Sequence, residues 1–138
     1  MMSESLRHGP EPDEDSARFW QGVKDHELQL QECERCGEIR FPPMPSCPNC
    51  GSSLFHFTEI CPKGKVYSWI RVYRSIGSLT NDEIPCTFVV VELDVGCRMI
   101  GRFDSELSIA IDQRVEVSYV EWPDWTEVRF QPEVVSAL

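Results

Sequence analysis

Two knuckles of the same pattern constrain this chain more than any other feature: Cys33-Glu34-Arg35-Cys36-Gly37 and Cys47-Pro48-Asn49-Cys50-Gly51, with ten residues between the cysteine pairs. A two-residue gap lets two thiolates on one tight turn face a single ion. The Gly that follows can take positive φ, so the backbone curls around the sulfurs. Two such turns supply four soft ligands in a tetrahedron, which suits zinc. Iron accepts the same four thiolates, and spacing does not separate the two metals. The competing reading is two disulfides. The chain has seven cysteines, and an odd count opposes a secreted disulfide framework. Cys61, Cys86 and Cys97 are scattered and read as buried small hydrophobes. Four cysteines fill a tetrahedron and leave no position for water, so the metal is expected to be structural.

The chain begins Met1-Met2-Ser3-Glu4, without a basic and then apolar leader, and no stretch approaches the ~18 apolar residues of a membrane span. With the cysteine usage, this reads as a cytoplasmic protein with no membrane span. Net charge is −10 over 138 residues, and Glu4, Glu11, Asp13, Glu14 and Asp15 face only Arg7 in the opening stretch. That balance opposes non-specific nucleic-acid binding, which rests on Lys and Arg meeting phosphates.

Four segments follow from pattern. Residues 1–14 are acidic, carry Pro10 and Pro12, and read as a disordered tail. Residues 15–27 hold a short helix near 15–25, capped by Asp15 or Ser16, with Phe19, Trp20 and Val23 as an apolar stripe. That stripe fits packing on the protein's own body first, with Phe19 and Trp20 offered to a partner as the alternative. Residues 28–60 are the zinc ribbon. There Leu28 and Leu30 alternate with Gln29 and Gln31 as a strand leading into the first knuckle. Phe41-Pro42-Pro43-Met44-Pro45 between the knuckles excludes regular helix and displays Phe41 and Met44.

Residues 61–138 are β. Lys65–Arg74 alternates, Thr87–Leu93 is nearly all apolar and reads as a strand buried on both faces, and Asp94-Val95-Gly96 turns into Arg98–Phe103. Asp104–Ala110 suits a helical turn. Arg114–Val120 and Thr126–Gln131 follow, joined by Trp122-Pro123-Asp124. Five strands with a small element after the third match an OB-fold, a five-stranded, partly open Greek-key barrel. An SH3-like barrel or a sandwich fits the strand count nearly as well.

The order of these features resembles a known family. Phe19-Trp20 in a helix leads to Leu28, Cys33-x-x-Cys36-Gly37, Phe41-Pro42-Pro43, Cys47-Pro48-x-Cys50-Gly51 and Gly64-Lys65-Val66-Tyr67-Ser68. Val91-Glu92-Leu93-Asp94-x-Gly96 follows, then Ile111 before a Val-x-Val strand. This resembles the acyl-CoA-associated family that joins a rubredoxin-like zinc ribbon to an OB-fold, formerly a domain of unknown function, over about residues 15–135. The resemblance implies a mainly β fold and zinc on Cys33, Cys36, Cys47 and Cys50. It also implies a non-catalytic subunit that partners a thiolase-like or hotdog-fold hydratase-like protein in acyl-CoA metabolism of the lipid or polyketide type. The chain departs from the family at Ile84-Pro85-Cys86, where two prolines are frequent, and at Asp112, where Gly is frequent.

Three functions compete on the residues. Acyl-CoA contact needs a few cations beside aromatic walls. Lys63, Lys65, Arg71 and Arg74, interleaved with Tyr67, Trp69 and Tyr73, are the most basic stretch of an acidic chain. The bland alternative for that stretch is a solvated strand face. A nucleic-acid-binding zinc-ribbon/OB-fold module would use the same aromatics for stacking, against the charge balance. A redox module would hold iron in the knuckles. Independent catalysis lacks its parts. Cys86 and Cys97 have no His beside them in sequence, His8, His26 and His56 are scattered, and no phosphate loop or nucleophile elbow is present.

Overall fold

The structure is a computed structural model and describes residues 9–75, 77, 79–104 and 108–134. Helix α1 (Ala17–Lys24) precedes eight strands. Strands β1 (Gln29–Cys33), β2 (Ile39–Arg40) and β3 (Phe55–Glu59) form an antiparallel sheet in the order β2-β1-β3. Strands β4 (Lys63–Val72), β5 (Cys86–Leu93), β6 (Arg98–Phe103), β7 (Arg114–Glu121) and β8 (Thr126–Pro132) close a barrel in the order β4-β5-β6-β8-β7. Five strands in that order are the expected OB-fold. Its weakest seam is the parallel contact of β6 with β8, registered only at Arg102↔Arg129 and Phe103↔Phe130. A helical turn was expected at Asp104–Ala110. Residues 105–107 lie outside the described residues, and 104 and 108–110 carry no regular structure.

Helix α1 has Ser16 at its N-cap, one of the two residues expected there, and the turn before it is braced. The Asp13 N–H donates to Ser16 Oγ at 3.0 Å and the Ser16 N–H donates to Asp13 Oδ1 at 2.8 Å. This reciprocal pair holds the Asp13 carboxyl below its usual range. Ser16 itself caps nothing with its side chain. Phe19 and Val23 are buried at 2% and 0% exposure, and α1 lies against β1 and β8. The expectation that Phe19 docks a partner is therefore corrected: its ring packs at 5.0 Å from Trp20 and 5.4 Å from Phe41, inside the protein.

One core serves helix, ribbon base and barrel. Val66, Val89, Val91, Val115 and Phe130 fill the barrel, and Phe19, Val23, Leu28, Leu30 and Ile60 join the same cluster. Strand β5 alternates between buried and partly exposed residues rather than being buried on both faces. Its outer side is barrel wall, so Phe88, Val90 and Glu92 are only half covered. Strand β4 begins two residues before the expected start because Lys63, Gly64 and Lys65 pair with β7. Gly64 is required there: a Cβ would sit 2.3 Å from the Glu92 carbonyl oxygen. At Asp112 the backbone takes φ 68, the left-handed conformation that favours the Gly frequent in the family.

Candidate metal centre and barrel surface

Each knuckle is a copy of the other in hydrogen bonding. The Gly37 N–H donates to the Cys33 carbonyl at 2.9 Å, and the Gly51 N–H to the Cys47 carbonyl at 2.8 Å. The Cys33 N–H reaches the Glu38 carbonyl and the Cys47 N–H the Ser52 carbonyl, both at 2.9 Å. Gly37 and Gly51 sit at φ 78 and 80, with nothing within 4 Å of an added Cβ, so the demand on Gly is conformational rather than steric.

The four sulfurs converge across the knuckles. All lie within 4.8 Å of one another, with Cys33 Sγ 3.6 Å from Cys50 Sγ and Cys36 Sγ 3.7 Å from Cys47 Sγ. Zinc–thiolate bonds of about 2.3 Å give a tetrahedron with S···S edges of about 3.8 Å, which these separations fit. Separations of 3.6 and 3.7 Å are far beyond a disulfide bond of about 2.05 Å, so the disulfide reading fails. The site is also electrostatically prepared for a cation. The Cys36 N–H, working against burial, brings the Cys33 thiol down to about 6, and the Cys50 N–H likewise lowers Cys47. The Ser52 N–H favours the Cys50 thiolate, but burial and the neighbouring sulfurs outweigh it and push that thiol up to about 11. Four thiolates this close need a cation among them to coexist.

Two residues that support the centre were missed by sequence reasoning. Gln31 and Arg40 are 1% and 3% exposed. The Gln31 Oε1 accepts from Arg40 Nε at 2.8 Å and from the Met44 N–H at 3.0 Å, while an Arg40 terminal nitrogen donates to the Met44 carbonyl at 3.1 Å. The guanidinium also lies 5.0 Å from the Phe55 ring centroid. This clamp pins the proline-rich loop between the knuckles. Only a Gln inside an alternating strand hinted at it. Phe41 and Met44 are half-buried and line a cleft of about 410 Å³ with Arg40, Val95 and Cys97. Trp20 is half-buried and lines a second cleft of about 520 Å³ with Trp122 and Trp125.

The cations of the proposed acyl-CoA surface do not converge. Lys63 pairs with Glu133 at 3.8 Å, and Lys65 with Glu92 at 3.8 Å and Asp112 at 3.9 Å. Arg71 donates to Thr87 Oγ1 at 2.9 Å, some eight residues or about 25 Å along the strand from Lys63. Arg74 is exposed beyond the strand end. Tyr67, Trp69 and Tyr73 are exposed, with the Arg98 guanidinium 3.6 Å over the Tyr67 ring.

Other reactive groups have structural partners. Cys86 is buried, Cys97 is half-buried with its thiol pushed up by burial, and Cys61 is exposed. His26 stacks on Tyr119 at 4.5 Å and meets Glu121 at 3.5 Å, while His56 sits between Glu32 and Glu34. His8 lies outside the described residues. Among the described residues the four cysteines are the group able to hold a metal, and no helix is long and apolar enough to cross a membrane.

The family model of the ChsH2 rubredoxin-like zinc ribbon domain matches residues 20–56, and that of the ChsH2 C-terminal OB-fold domain matches residues 57–120. The chain belongs to the ChsH2 family. Among its relatives is the 3-oxo-4,17-pregnadiene-20-carboxyl-CoA hydratase alpha subunit of Mycobacterium tuberculosis, 31% identical over 126 residues. That match covers 90% of this chain and 40% of the relative, so the chain spans about two fifths of that protein's length. The benzoylsuccinyl-CoA thiolase subunit BbsA of Geobacter metallireducens is 29% identical over 66% of this chain and 60% of its own. A solved structure described as the Ltp2-ChsH2(DUF35) aldolase aligns with TM-score 0.81 and 30% identity, over 91% of this chain and 100% of that one. By their descriptions, these relatives are a carboxyl-CoA hydratase alpha subunit, a benzoylsuccinyl-CoA thiolase subunit and an Ltp2-ChsH2(DUF35) aldolase.

Proposed function

We propose that this chain is a non-catalytic accessory subunit that holds a structural zinc on Cys33, Cys36, Cys47 and Cys50 and helps a thiolase-like or hydratase-like enzyme handle acyl-CoA. The closed set of four converging sulfurs carries the reading. A tetrahedral ion with four protein thiolates has no open position for substrate or water, so it stabilises a fold rather than performing chemistry. The relatives' names supply the class of partner, since they span hydratase, thiolase and aldolase subunits. What is common to them is a companion enzyme rather than one reaction. The ribbon tip and the Phe41–Met44 loop, pinned by Gln31 and Arg40, are rigid enough to present a constant surface to such a partner.

The test is to isolate the tagged protein from its own cells at moderate salt and identify its stoichiometric companion. The companion's turnover of acyl-CoA is then measured with and without this chain. An acyl-CoA enzyme that loses activity or stability alone supports the reading. Nucleic acid as the sole companion would overturn it. Metal analysis should give one zinc per chain, and a red, visibly absorbing protein would instead indicate iron. Replacing Cys36 or Cys47 with Ser should open the ribbon and abolish the complex.

A further inference from the structure

Strand β4 is unevenly paired. Along one edge it registers with β5 from Gly64↔Leu93 to Val72↔Cys86. Along the other it meets β7 only over Lys63–Lys65, extended by the Val66 bonds to Gln113 and Asp112. From Tyr67 to Val72 that second edge has no strand beside it among the described residues. An open edge presents unpaired N–H and C=O groups, and proteins ordinarily blunt it with Pro, Lys or a short strand. Between Tyr67 and Val72 this edge has no Pro or Lys, and its one charged residue is Arg71. It carries Tyr67 at 49%, Trp69 at 40%, Ile70 at 60% and Tyr73 at 70% exposure. A register shift between Val66 and Ser68 twists the strand just where β7 stops.

Charge completes the picture. On a chain of net charge −10, all other cations of the barrel strands are matched by a carboxylate: Lys63, Lys65, Arg98, Arg102, Arg114 and Arg129. Arg71, on the open edge, and Arg74, just past it, have no carboxylate partner among the described residues. Excess acid elsewhere and two unmatched arginines here call for acid from outside. A second copy would bring the same two arginines to the seam and an equally negative body, so self-pairing sets like charge against like. Phosphate is served poorly by an edge that offers backbone donors and acceptors in alternation.

We propose that the open edge of β4, Tyr67 to Val72, accepts an extended acidic segment of the partner acyl-CoA enzyme as an added strand. Backbone bonds supply the docking, Trp69, Ile70 and Tyr73 the apolar contact, and Arg71 and Arg74 the register against Asp or Glu. This deepens the accessory-subunit reading and rests on it.

The test uses the full chain and the enzyme isolated with it. Ile70→Lys and the double variant Arg71→Glu, Arg74→Glu alter exposed side chains, and an unchanged melting temperature of the free chain confirms that each is folded. Each should weaken the complex by roughly 30-fold or more, as loss of a hot-spot residue does, and the double variant should also flatten its salt dependence. In the wild-type complex, hydrogen exchange at amides of residues 67–73 should slow by about tenfold or more, which side-chain contact alone would not produce. A complex indifferent to both variants, with exchange at 67–73 unchanged, overturns the edge and leaves the accessory reading standing. Absence of any enzyme complex overturns both. Edge-dependent self-association, or binding of coenzyme A or single-stranded DNA lost in the double variant, would assign the edge to another occupant and overturn the proposal.

Discussion

Removing the metal should unfold the ribbon tip and spare the barrel. Residues 34–54 carry the knuckles and the proline loop, and they contribute little to the common core. Without an ion, the tip is held by four knuckle backbone bonds, the Glu34 N–H to the Leu54 carbonyl, the short pairing of β2 with β1 and the three-bond Gln31–Arg40–Met44 clamp. At about 1 kcal/mol net each, these supply roughly 10 kcal/mol. Ordering that stretch costs about 1 kcal/mol or more per residue, roughly 20 kcal/mol in total. Zinc binding of about 10–16 kcal/mol closes the gap. At the ribbon's base the balance is different, because Leu28 and Leu30 are each 1% exposed in the shared core and are worth about 1.5–3 kcal/mol apiece. Hydrogen exchange before and after chelation reads both outcomes. The amides of Gly37, Cys47 and Gly51 should lose protection, while those of Val89, Val91 and Val115 keep most of theirs. Persisting protection at Gly37 and Gly51, or simultaneous loss at Val89 and Val115, would refute the reasoning.

Three further outcomes are expected. Gly64→Ala forces a Cβ against the Glu92 carbonyl and should lower stability by about 1–3 kcal/mol in urea unfolding. Asp112→Gly relieves a left-handed backbone at φ 68 and should raise stability by about 1 kcal/mol, since the exposed contact with Lys65 at 3.9 Å contributes little. Arg114 donates twice to Asp94, at 2.8 Å each, and these bonds hold the Asp94 carboxyl below its ordinary range. A depressed carboxyl stabilises above its unfolded value and loses that contribution as pH falls through the folded one. Melting temperature should therefore drop as pH falls from about 4, and Arg114→Met should flatten that limb.

The fold and the four-cysteine cluster were legible in the sequence because both are written in local pattern. The Cys-x-x-Cys-Gly spacing demands two curled turns wherever it occurs, and alternation in Lys65–Arg74 and Arg114–Val120 demands strands. Several features were not legible because they arise between elements distant in the chain. Gln31 and Arg40 look like ordinary polar residues, and only the pairing of β1 with β2 buries them together. The run from Thr87 to Leu93 looked buried on both faces, yet barrel curvature leaves one side half covered. Ser16 is the N-cap of α1, as expected, but its hydroxyl turns back to the Asp13 N–H instead of capping the helix.

The sequence alone determined four convergent thiols, five barrel strands and a short amphipathic helix, since each depends on neighbours within a few residues. Tertiary structure decided which surfaces remain available. It put Phe19 inside, gave Lys63 and Lys65 carboxylate partners, and left Arg71 and Arg74 beside an unpaired edge. Exposure and ion pairing depend on which strands close the barrel and where β7 stops, and no window of sequence contains that distance.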